Sequence, residues 1–153
     1  MVRIEFVIDE AELAAAAQAA GADDASLQET YLLMPIRFEV AGQELLRVPD
    51  AEAVVLPGPL LHWATLGMDA IESVTTTGRA RYSMPGTGGS LSFERRDRSV
   101  CITSTLNGVT ACAPIDEVLL AARRFRATVR ELIETRLPAV TSRPYWSQAL
   151  TRH

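Results

Sequence analysis

His62, Cys101 and Cys112 are the residues that would matter most if this chain made or broke covalent bonds. An imidazole can serve as a general base, and a thiolate near it is a nucleophile. The other histidine, His153, is the last residue of the sequence, so a catalytic or metal role rests on His62. Asp69 and Glu72 fall on roughly the same side of the helix expected there. That helix lacks the second histidine, four residues on, that zinc-binding helices carry, and a solvent-facing polar stripe accounts for all three residues. A cleft near His62 and Cys101, belonging to an enzyme or a small-molecule-binding domain, is kept as an alternative. The two cysteines supply neither a disulfide framework nor the about four ligands of a zinc site. They read as reduced thiols in a cytosol, diagonal neighbours on one strand face rather than a bonded pair.

Two further patterns are weighed in the same way. Gly86-Thr87-Gly88-Gly89 has the composition of a phosphate cradle, but such a loop needs a helix after it and commonly a lysine. Here a strand follows and every basic residue is arginine, so the run reads as a hairpin loop. Arg123, Arg124, Arg126, Arg130 and Arg136 occur in one helical segment without interleaved aromatics. Arg130 and Glu134 have ion-pair spacing, and the group reads as a solvated helix face, not a nucleic-acid stripe. No catalytic residue, cofactor or metal is assigned. The remaining candidate is a polar strand face carrying Arg79, Arg81 and Glu94 among serines and threonines, Thr103 and Thr105 included, where a protein partner would dock.

That face follows from the elements. From Gly78 the pattern alternates with period two, and turn signals at Pro85 to Gly89, Arg96-Asp97 and Asn107-Gly108 divide it into four strands. Two-residue turns at the last two sites set Phe93 against Val100, Leu91 against Ile102, and Leu106 against Val109. Tyr82, Met84 and Ala111 join those residues on one apolar face, which must be covered. The cover is a helix from Pro114 to Leu137, with Val118, Ala122, Phe125, Val129 and Ile133 along its apolar stripe.

Upstream, Val2 to Ile8 alternates as a strand, and Asp9 caps a helix reaching Ala20. Residues 22 to 27 read as a polar connection. Glu29 to Val40 and Glu44 to Val48 then form a hairpin around Ala41-Gly42, with Pro35 suggesting an edge or a bulge. Pro49 and Asp50 close that hairpin. Leu56-Pro57-Gly58 is a breaker before a helix over Pro59 to Val74, and a short tail helix from Pro144 to Leu150 docks Tyr145 and Trp146. The sum is one α+β domain over residues 1 to 153. Its antiparallel sheet has about six to seven strands, with the long C-terminal helix and one or two others packed on one face.

Length and composition fit that reading. A chain of 153 residues, 48% apolar, can bury a full core without staples. Its apolar runs fall short of the ~20 residues that span a bilayer, and its start lacks the pattern of a secretory leader, so a cytoplasmic protein with no membrane contact is expected. Residues 1 to 76 hold 13 acids against three arginines, and residues 77 to 153 hold six acids against 12. Such a division marks a partner surface or neutralises itself when the halves pack. Net acidity argues against nucleic acid.

The succession Ile36-Arg37-Phe38-Glu39-Val40, Gly42, Glu44-Leu45-Leu46 and Pro59-Leu60-Leu61 carries a resemblance. It continues through Leu91-Ser92-Phe93, Val100-Cys101-Ile102, the helix with Phe125, Val129 and Leu132, and then Pro138, Pro144 and Trp146. In this order of features the chain resembles a group of small actinobacterial proteins of unassigned function, similar in size and layout to immunity proteins of polymorphic toxin systems. The resemblance covers most of the chain and rests on hydrophobic positions. It implies a non-enzymatic protein that neutralises a cognate bacterial toxin domain by stoichiometric binding. The other alternative is a structural or regulatory domain acting as a homodimer through its sheet edges or tail helix.

Overall fold

Alternating apolar side chains give Val2–Phe6 its strand, β1, with Ile4 turned into the core. A computed structural model of the chain describes residues 1–19, 21–49 and 57–151. The expected helix end at Ala20 and the Asp50 to Leu56 connection lie outside them. Asp9 caps α1 (Glu10–Gln18), its carboxylate accepting from the Ala11 and Glu12 amides. The stretch expected as a polar connection instead winds into α2 (Asp24–Glu29). Asp23 accepts from the Ser26 amide, and Leu27 is fully buried, so a cap and one apolar anchor outweigh the polar composition. The following strand, β2, therefore starts later, at Leu33–Val40.

Pro35 sits in the central strand of its sheet, not at an edge. β2 pairs with β1 on one side and with β3 (Gln43–Glu44) and β4 (Pro57–Pro59) on the other. The side of Pro35 that lacks an N–H faces the point where β1 ends, and its carbonyl accepts the Val7 amide at 3.0 Å. Only the reciprocal bond to the Val7 carbonyl, at the very end of the ladder, is forgone. Ala41 and Gly42 both take positive φ, as a two-residue turn requires. The second hairpin arm is a strand only over Gln43–Glu44; the Leu45 amide makes one last bond to the Phe38 carbonyl, and Leu45 and Leu46 are buried in the core.

Pro59 ends β4 and precedes a continuous helical run: α3 (Leu60–His62), a π-helical turn over Trp63–Gly67, and α4 (Met68–Thr77). The meander follows as β5 (Arg79–Ser83), β6 (Ser90–Arg96), β7 (Ser99–Ser104) and β8 (Thr110–Pro114), paired in sequence order. Then come α5 (Ile115–Arg136), α6 (Pro138–Thr141) and α7 (Pro144–Ala149). Trp146 is buried and Tyr145 exposed. The architecture is α+β, with the strands divided between two antiparallel sheets and α5 packed on both. No helix among the described residues is long and apolar enough to cross a membrane.

Candidate partner-binding face

The hairpin turns decide what stands beside what on the meander. Turns with two central residues place positive φ at the first of them. In the β6–β7 turn that residue is Asp97, so the turn is Asp97-Arg98, one residue later than expected, and Arg96 faces Ser99. At β7–β8 only Gly108 of the Asn-Gly pair takes positive φ, which excludes the two-residue turn. A four-residue loop forms instead, with the Ser104 amide bonded to the Val109 carbonyl. The Asn107 side chain makes a longer-range contact, its amide nitrogen donating to the carbonyls of Glu44 and Arg47, 3.0 Å each, and so tying this loop to the first sheet.

Both corrections move a strand by two residues against its neighbour. A shift of two keeps every side chain on its face. Tyr82, Leu91, Phe93, Val100, Ile102 and Ala111 are accordingly buried beneath the meander as expected. The cross-strand partners change, and Phe93 faces Ile102 while Cys101 faces Cys112. Facing rather than diagonal, the two cysteines form a disulfide, against the expectation of reduced, unbonded thiols.

On the opposite face the strands line up in rows. Arg79, Glu94, Cys101 and Cys112 make one; Arg81, Ser92, Thr103 and Thr110 make the next. The Thr103 and Thr110 hydroxyls are 2.9 Å apart, and Glu94 pairs with Arg96 along its own strand at 3.5 Å. Arg79, Arg81 and Thr103 are exposed, and Glu94 is half-buried. Four of the five expected contact residues thus share two adjacent rows. Thr105 lies in the β7–β8 loop, where its hydroxyl accepts the Ser90 amide at 2.8 Å.

The other expected sites resolve differently. His62 is buried, with Nδ1 2.6 Å from the Tyr82 hydroxyl, under the covered side of the meander. Desolvation lowers its pKa, partly opposed by the Glu29 charge, and burial raises that of Tyr82. Cys101 points to the open face, so the sheet stands between it and His62. Asp69 and Glu72 turn to Arg126, at 2.7 and 3.6 Å. That arginine corrects the reading of a solvated helix face: it is 3% exposed, and Nε also donates to the Ala64 carbonyl at 2.8 Å. Helical spacing from Ala122, and to Val129 and Ile133, was the signal that places it on the apolar stripe. Arg130 pairs with Glu134 as read. The Gly86 to Gly89 run is a hairpin loop, with Gly86 and Gly88 at positive φ.

Among the described residues no cluster of histidine, cysteine, aspartate and glutamate has the arrangement of a metal site. No protein-family model, no curated protein and no solved structure matches the chain.

Proposed function

We propose that the chain is a non-enzymatic binding protein of immunity type, which neutralises a bacterial toxin domain by stoichiometric contact through the open face of β5–β8. The observation that supports this is the pair of rows led by Arg79 and Arg81, backed by a helix-covered core and braced by the Cys101–Cys112 disulfide. Arginine presents a planar, multi-donor fork that loses less entropy per hydrogen bond formed than a lysine does, the quality of an interface anchor. His62 and the cysteines are engaged elsewhere, which favours a contact function over a catalytic one.

Co-expression with the product of an adjacent gene tests the reading. Protection that is lost in Arg79→Glu/Arg81→Glu, with the fold intact by circular dichroism, is the expected result. An adjacent product without toxicity, or protection indifferent to both arginines, rejects it. The disulfide argues for a compartment that keeps it oxidised rather than for the expected reducing cytoplasm. Alkylation of the chain in freshly lysed cells separates the two, since only reduced thiols are labelled.

A further inference from the structure

The outer edge of the first sheet has a chemistry of its own. Among the described residues β1 pairs with β2 alone. The Ala41 amide bonds to the Met1 carbonyl and the Val7 amide to the Pro35 carbonyl, which fixes the phase of that ladder. Odd-numbered residues of β1 direct their backbone groups to β2, and the N–H and C=O groups of Val2, Ile4 and Phe6 point the other way. An edge of this kind is a template for another strand.

The side chains along it are self-complementary. The segment Met1-Val2-Arg3-Ile4-Glu5-Phe6-Val7 mirrors apolar residues with apolar residues about Ile4, and Arg3 with its opposite charge, Glu5. Laid antiparallel on a second copy with Ile4 facing Ile4, it sets Arg3 against Glu5 twice, Val2 against Phe6 and Met1 against Val7. In that register Val2, Ile4 and Phe6 meet their counterparts as hydrogen-bonded pairs, which is what their outward backbone groups require. The row of charges then alternates across four strands, because Arg3 already faces Glu39 and Glu5 faces Arg37 within one chain. Exposed apolar surface gathers here as well. Met1, Val7, Ile8 and Leu120 are four of the six large hydrophobic side chains most exposed among the described residues, and Ile8 and Leu120 line a groove between β1 and α5.

We propose that β1 is a homodimer interface, in which two copies join their first sheets by antiparallel β1–β1 pairing about Ile4. The surface is separate from the open face of the meander, and the proposal stands or falls independently of the function assigned to that face.

Charge reversal supplies the test. Arg3→Glu places two carboxylates opposite each other at both symmetry-related contacts, and Glu5→Arg places two guanidiniums there. Sedimentation of the full chain from low to high micromolar concentration should show a wild-type dimer. Each variant alone should be weakened roughly tenfold or more in Kd. An equimolar mixture of the two variants should dimerise, since every interchain contact is then between opposite charges. Hydrogen exchange on wild type gives a readout that needs no mutation: the amides of Ile4 and Phe6 should be protected at high concentration and lose protection on dilution. A wild-type monomer throughout, a dimer indifferent to both reversals, a mixture that stays monomeric, or concentration-independent exchange at Ile4 overturns the proposal.

Discussion

Arg126 is a charge buried by the needs of a neighbouring helix. The Met68 amide bonds to the carbonyls of Trp63 and Thr65, the mark of the π-helical turn, and bypasses that of Ala64. Arg126 Nε donates to the bypassed oxygen, and its remaining donors reach Thr65, Asp69 and Glu72. Methionine keeps the apolar stem and loses every donor, so Arg126→Met should cost about 3 kcal/mol. Arg126→Lys should recover only part, because an ammonium lacks the fork. A urea midpoint within error of wild type in Arg126→Met would show that the network is dispensable. His62 yields a pH prediction. Burial holds its pKa below 6.5, so the unfolded chain takes up the proton first as pH falls. Stability is complete above the unfolded value and declines from about pH 6.5 down to the folded pKa. Glu10 and Asp23 are held below their ordinary pKa by hydrogen bonds from Arg136 and Ser26, and lose their contribution only at lower pH. The melting temperature should therefore drop between about pH 7.5 and 5.5, and drop less in His62→Gln. Equal drops in the two proteins would remove His62 as the cause.

At the scale of elements, patterns that repeat within one segment were legible and contacts between segments were not. The stripe of α5 and the two faces of the meander follow from periodicity, and Asp9 announced its own cap. The tertiary claims on particular residues were invisible. Asn107 reads as half of a tight turn, yet its side chain is held by Glu44 and Arg47, some sixty residues away in sequence. That claim fixes the loop at four residues, moves β8 by two, and brings Cys112 opposite Cys101. β4 was unreadable for a similar reason, since Pro57-Gly58-Pro59 is a strand only because β2 offers it a partner. The candidate face survived because parity survives a shift of two, while its disulfide did not emerge from the sequence. With a sequence separation of 11, that bond should contribute about 3 kcal/mol. Cys101→Ser/Cys112→Ser should lower the denaturation midpoint as much as reductant lowers that of wild type, and should itself be insensitive to reductant. A wild-type midpoint that ignores reductant would contradict this.

For the molecule as a whole, the uneven charge of the two halves is neutralised internally in part. Arg126 with Asp69 and Glu72, Arg136 with Glu10, and Arg143 with Asp24 each join the basic half to the acidic one. These contacts converge on α5 and the segments after it, and the apolar contacts do the same. Phe125 meets Phe6 of β1 edge-on, 5.9 Å between ring centres, while the Ile115 amide at the other end of α5 bonds to the Arg98 carbonyl in the meander. Asn107 ties the sheets together a second time. Since α5 packs on both sheets and ties them into one core, the two should unfold in one transition. Fluorescence of Trp63, packed on Tyr82, and of Trp146 in α7 should change at the same denaturant concentration as far-UV circular dichroism. Phe125→Ala, which opens a cavity where α5 meets β1, should cost about 3 to 5 kcal/mol and shift all three signals together. If the variant splits the transition, with the meander outlasting the first sheet, the chain is two folding units sharing a helix rather than one.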